Sequence, residues 1–386
     1  MRRVFFVGFW IVFFLPLGSS SAESAREPIR AFLHRGVEKG LQLDEKASVA
    51  EMKKAVELDR ENPMGYAFLA LTHLFFFETG FEEKERKKKE ELSLQAAGDA
   101  QVRAERRIAK DPQDADAYFS AALAKMVKNR LEIIRKNYFR ALREGQNVWD
   151  YLEKARDLDP ENYDIYYPMG VLHYHLAQLS GVGRWITSLF ITGGDREKGL
   201  KEFTLTSAKG YLLKDLAKSS LVSAYSSFEK QPARALPLAQ ALKEKYPANY
   251  NFSFALGNVL SELGRAEEAM SVAREIEIGI HSNIPPYRPE LRPRHQQLLG
   301  KIYFDQGEFG KAVEYFNMAL KDPALYNARV RALALVRLGM IQDIRKERKT
   351  AEAYYQKALE IEGAEGSAQR EAKEYLETPY VPPKRK

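Results

Sequence analysis

The sequence predicts an all-α fold, a solenoid of about eight stacked helix pairs, on three observations. The first is a spacing of small residues. In Leu298 to Pro323, LLGKIYFDQGEFGKAVEYFNMALKDP, Gly300 and Ala312 stand where two antiparallel helices must approach closely, Gly307 where the chain turns, and Phe316 and Ala319 on the second helix. Paired helices lie about 8 to 10 Å apart, and Gly, Ala or Ser at the crossing permits that distance. The same small residue recurs in the first helix of each pair at Gly36, Ala70, Ala122, Gly170, Ser223, Gly257, Gly300 and Gly339. Twelve residues beyond Gly36, Gly257, Gly300 and Gly339 come Ser48, Ala269, Ala312 and Ala351; nineteen beyond Gly36, Gly300 and Gly339 come Ala55, Ala319 and Ala358. The second observation is a recurring boundary turn, LDRENP at Leu58, KDPQDA at Lys110, LDPENY at Leu158 and KYPANY at Lys245, that closes one pair and opens the next. The third is that no stretch alternates with period two while Ala, Leu, Glu, Lys and Arg dominate, which leaves little room for sheet.

Taken in order, Met1-Arg2-Arg3 followed by apolar Val4 to Leu17 and by Ser20-Ser21-Ala22 has the form of a secretory signal occupying residues 1–22. Its apolar run is shorter than the roughly 20 residues a spanning helix needs, which favours cleavage before Glu23 over retention as an anchor. The solenoid is expected over residues 28–365, followed by a C-terminal segment, 366–386, with a basic, disordered tail. The step from Gly36 to Ala70 is 34 residues, and the next three are 52, 48 and 53, so pairs two to four are expanded, with the extra chain expected mainly at the turn between the paired helices. Glu82 to Glu91, EEKERKKKEE, reads as a charged helical extension. Asn129 to Gly145 places Leu131, Ile134, Phe139 and Leu142 near helical spacing and predicts an added amphipathic helix lying on the array. Leu179 to Asp195, LSGVGRWITSLFITGGD, exposes large apolar side chains unless something covers them. The Pro-rich stretch Ile280 to Pro293 accounts for the later 43-residue step.

These spacings resemble the tetratricopeptide repeat superfamily, which implies a right-handed superhelix acting as a scaffold or adaptor and not as an enzyme. The element GGDREKGL, Gly193 to Leu200, is similar to a pattern in uncharacterised exported bacterial repeat proteins, and more faintly in a eukaryotic repeat family connected with inclusion-body clearance. In that setting Asp195 is expected to cap the helix that carries Phe203.

Composition narrows the chemistry. The chain has 386 residues and a formal charge of +7, of which Arg2 and Arg3 supply two. Its 60 basic and 53 acidic residues are interspersed as on a solvated helical surface, not massed as a nucleic-acid binder requires. With no Cys there is no disulfide framework, thiolate metal site or lipid-modified cysteine. His173 and His175 point about 200° apart on a helix and cannot share a metal. No nucleophile motif and no phosphate loop is present, so the sequence indicates no catalytic residue, cofactor or metal.

Binding is the remaining class. Counted from the small-residue positions, the inner face of the first helices presents Phe119, Tyr167 and Tyr174 in the expanded pairs, and Asn258, Arg294 and Lys301 further on, so a partner-binding groove runs from apolar to polar. Two readings stand: the inserted segments fill the apolar half as core, or it stays open to a peptide helix or an acyl chain. Trp185 and Phe190 are expected to act as a lid over that half, with a partner protein or a membrane interface as the other destinations. The sequence therefore points to an exported, periplasmic scaffold for a protein or peptide partner, with peripheral membrane contact open. Alternative locations are secreted or N-terminally anchored, and the alternative function is a carrier or sensor of a small apolar ligand.

Overall fold

The computed structural model describes residues 21–145, 147–177, 194–325, 327–364 and 366–382, and among them all regular structure is helical. Helices pair in chain order: α1 (Ser21–Leu41) with α2 (Glu45–Leu58), α3 (Pro63–Thr79) with α4 (Glu83–Lys110), and α5 (Ala115–Ile134) with α7 (Val148–Leu158), the short α6 (Tyr138–Gly145) lying between. Then come α8 (Tyr166–Leu176) with α9 (Arg196–Lys209), α10 (Lys214–Ser223) with α11 (Pro232–Lys245), and α12 (Tyr250–Glu262) with α13 (Ala266–His281). The array closes with α14 (Arg292–Gln306) and α15 (Phe309–Lys321), α16 (Ala328–Ile344) and α17 (Arg348–Leu359), and a final α18 (Ser367–Glu377). Trp185, Phe190 and the rest of 178–193, like residues 1–20, lie outside the described residues.

The small-residue positions do what their spacing implied. A Cβ on Gly300 would sit 2.7 Å from the Phe316 ring, and one on Gly339 would sit 2.5 Å from the Tyr355 ring, so each glycine is the socket for an aromatic of its partner helix. Ser48 Oγ donates to the Gly36 carbonyl at 2.7 Å, and Ser93 Oγ to the Ala70 carbonyl at 2.9 Å, joining the two helices of a pair where they are closest. Gly307 ends α14 at φ +81°, a conformation that side chains resist. The boundary turns supply N-caps: Asn62 accepts from the Met64 amide at 3.0 Å, Asp114 from Ala117 at 2.9 Å and Asn249 from Asn251 at 3.0 Å. Asp195 accepts from the Lys198 amide at 2.9 Å at the start of α9, which carries buried Phe203.

Three expectations change. Ser223 is exposed, and its neighbours Val222 and Ala224 are buried instead. A π-helical turn, Ala224–Phe228, follows α10, and Ala235, twelve residues beyond Ser223, is buried although Ser223 is not. In the second pair the extra chain lengthens α4 and does not enlarge the turn. In the third, Leu131 and Ile134 belong to the end of α5, the chain breaks at Lys136 (φ +60°), and α6 begins afresh with Phe139 facing solvent. The amphipathic period there ran across a helix boundary.

Candidate functional site

The predicted groove residues fall into three environments. Phe119 (0 % exposed) and Tyr174 (2 %) are core, not wall. Tyr174 packs its ring 6.0 Å from Phe203 and 6.1 Å from Phe228, and its hydroxyl donates to Glu229 at 2.9 Å; burial first, and Glu229 second, push that hydroxyl well above the usual phenol range. Tyr167 is half-buried with its hydroxyl 3.4 Å from Ser220 Oγ. Both rings lie inside apolar clusters, Phe119 with Phe68, Leu123 and Met169, and Tyr174 with Phe203 and Tyr225.

The polar half is engaged internally. Lys301, 6 % exposed, donates to Asp305 at 2.6 Å and lies 3.6 Å from Glu262, while Ser261 Oγ donates to the same Asp305 at 2.6 Å. Burial raises the Asp305 carboxyl, and Lys301 and Ser261 together hold it below its ordinary value. Arg294 donates to Asn251 at 2.7 Å and lies 4.2 Å over Phe254, whose carbonyl accepts from Asn258. Arg294 and Asn258 thus meet around Phe254, while Lys301 belongs to a separate ion network.

Other long-range pairings come from helices at the two ends of the chain. Arg26, Arg30, His34 and Glu38 recur every fourth residue and form one stripe along α1. Arg26 pairs with Asp116 (2.9 Å) and Asp159 (2.7 Å), Arg30 with Asp164 (3.3 Å), His34 stacks 4.6 Å from Tyr211, and Glu38 pairs with Lys245 (3.0 Å). The Leu41 carbonyl accepts from Asn249 at 2.8 Å. The first helix therefore runs past the starting turns of the pairs opened by α5, α8, α10 and α12. Asp164 is fully buried because it also accepts from the amides of Tyr211, Leu212 and Leu213 at 2.9 to 3.0 Å. Asp215 is held at about 2: burial raises it, and Lys218, Lys245 and Tyr246 outweigh that with hydrogen bonds.

At the other end, buried Glu371 of α18 accepts from Arg337 (3.0 Å) and from Lys230 (2.6 Å) beyond the π turn, and Arg370 lies 4.8 Å over Phe228. Lys136 pairs with Glu362 at 2.8 Å, so the third pair meets the turn after α17. Sequence reasoning missed α18 and the α1 stripe; the four-residue recurrence from Arg26 to Glu38 was the available signal.

Two neighbouring aromatics are exposed at the α5–α6 junction. Phe139 is 91 % exposed and Tyr138 62 %, with Arg140 in the same turn and exposed Ile133 near the end of α5. Among the described residues no three metal-ligating side chains converge, and no helix is long and apolar enough to cross a membrane.

Residues 229–282 and 297–368 match a tetratricopeptide repeat family model. No curated protein sequence matches the chain. Among solved structures, the chain is similar to one in the APC/C hetero-tetramer Cut9–Hcn1 (14% identity, TM-score 0.46, 92% of this chain and 56% of that one). It is also similar to a tetratricopeptide repeat protein from Parabacteroides merdae (14%, TM-score 0.36, 82% and 99%) and to human IFIT1 (15%, TM-score 0.42, 89% and 83%). The chain spans little more than half the length of the first of these.

Proposed function

We propose that the chain, whose residues 229–282 and 297–368 match a tetratricopeptide repeat model, is an exported scaffold that binds a partner protein in a cell-envelope assembly, without catalysing a reaction. The observation that carries this reading is the corner formed by exposed Tyr138 and Phe139. Large aromatics in water are costly, and Tyr, Phe and Arg grouped at one point are the composition of an interface anchor. The inner face supports the same choice from the other side, since Phe119, Tyr174 and Lys301 are already engaged within the chain, while Tyr138 and Phe139 on α6 are exposed. Export rests on the signal-like residues 1–22 and carries its own check, a native mass that begins at or near Glu23.

The carrier reading has less support. The pocket lined by Val37, Leu41, Phe68, Leu71, Phe75 and Leu216 is apolar, but its void is about 60 Å³. Ligand sites run to about 300 Å³ or more. The test is retention of a partner from solubilised membranes by the wild-type chain and by Tyr138→Ala with Phe139→Ala. Both side chains are exposed, so the fold is expected to be intact within about 0.5 kcal/mol. Loss of the partner with retained stability supports the reading, and unchanged retention overturns it. If the variant instead loses only liposome binding, the corner is a membrane contact.

A further inference from the structure

A second surface lies on the first two pairs. α3 floors a cleft of about 790 Å³ between α2 and α4, and Val49, Leu69 and Leu92 give it an apolar lining. Cations stand on both walls, Lys46 and Lys53 on α2, Lys88 and Lys89 on α4. Lys89 is paired with Glu45 at 2.9 Å, and Asp99 is held by Arg103 at 2.7 Å. Among the described residues Lys46, Lys53 and Lys88 have no ion pair, and the rim opposes them with Glu85. On the floor, the His73 side chain is buried, and its Nδ1 has no hydrogen-bond partner. Burial, reinforced by Lys53 and Lys89, holds this imidazole down at about 4, so at neutral pH the ring is uncharged.

We propose that this cleft docks an acidic, amphipathic peptide segment of a partner protein. Its apolar side chains lie on Val49, Leu69 and Leu92, its carboxylates sit between the facing lysines, and one carboxylate accepts a hydrogen bond from His73 Nδ1–H. Three features select that occupant. A neutral imidazole places its single proton on either nitrogen, so the unpartnered Nδ1 of this cleft-lining histidine is able to donate to a carboxylate. The cations are spread out: Lys46 and Lys53 are seven residues apart on α2, roughly 10 Å along the helix axis, which suits several carboxylates in series better than one small anion. The lining is apolar while its rim is cationic, and this pairing is complementary to an amphipathic acidic chain. The site is independent of the corner at Phe139 and involves different helices.

The probe is a fluorescein-labelled peptide of about 16 residues with Glu and Leu in helical amphipathic order, compared with the same peptide carrying Gln for every Glu, by fluorescence anisotropy with the full chain. The Glu peptide is expected to bind at least about tenfold more tightly than the Gln peptide, and Lys53→Glu with Lys88→Glu to weaken it by about tenfold or more. His73→Phe is expected to weaken binding about threefold with an unchanged circular dichroism spectrum. Lys201→Glu with Lys357→Glu, which reverses two exposed lysines elsewhere, and Phe139→Ala are expected to leave binding unchanged. Equal binding of the two peptides, no binding of the Glu peptide, or wild-type affinity in the Lys53/Lys88 variant overturns the proposal. Full displacement of the peptide by about 10 mM inorganic phosphate also overturns it, in favour of a small-anion site.

Discussion

Glu371→Ala is the perturbation that most directly tests how the end of the solenoid is held. Glu371 is buried on α18 and accepts from Arg337 on α16 and from Lys230 beyond the π turn, so three distant parts of the chain meet at one carboxylate. Burial alone would raise its pKa, but the charges of Arg337 and Lys230 outweigh burial and hold it at about 2, against an ordinary 4.5. A depression of that size corresponds to on the order of 3 kcal/mol favouring the ionised form in the fold. Removing one member of a buried pair costs about 3 to 5 kcal/mol, because the other charge is left unpaired. The two routes agree, and the expected loss for Glu371→Ala at pH 7 is about 3 kcal/mol by urea titration followed by circular dichroism. Because the folded pKa is depressed, the contribution is complete above the unfolded value and fades as pH falls towards the folded one. The gap between variant and wild type is therefore expected to narrow from about pH 5 to pH 3. Arg337→Met combined with Glu371→Met should recover much of the loss, since that variant leaves no buried charge behind. A Glu371→Ala variant within about 0.5 kcal/mol of wild type, or a gap independent of pH, would refute the reasoning.

Two further outcomes follow from the packing. Gly300→Leu places side-chain atoms where the Phe316 ring already lies 2.7 Å from a bare Cβ, so it is expected to lose at least about 1 to 3 kcal/mol; unchanged thermal unfolding would mean that Gly300 is not a crossing residue. Asp164→Ala removes the acceptor for the amides of Tyr211, Leu212 and Leu213 and leaves Arg30 without its carboxylate, for an expected loss of at least about 1 to 3 kcal/mol and faster hydrogen exchange at those three amides, and unchanged exchange there would contradict it.

The helix pairs were legible because each is specified within about 20 residues of chain. The Gly300 socket and the Phe316 ring that fills it are sixteen residues apart, and caps such as Asn62 and Asp114 act two or three residues on. A register read from such local rules survives until something local changes it, as the π turn does at Ser223 and the chain break at Lys136 does before Phe139. The inner face was less legible, because counting along a helix finds the direction of Phe119 or Lys301 without showing what arrives opposite it.

What arrives depends on the rotation from one pair to the next, a small quantity that accumulates along the array and leaves no periodic mark in the sequence. The amino-acid order by itself determined an all-helical array of paired helices, most of its crossing residues and turns, and the cap at Asp195. Only the tertiary structure decided that Arg26 reaches Asp159 across 133 residues, that Lys136 meets Glu362, and that Glu371 closes on Lys230. Those pairings join residues whose separation in sequence is set by expanded pairs of unequal length, and charge complementarity between them becomes visible only once the superhelix has brought its ends round.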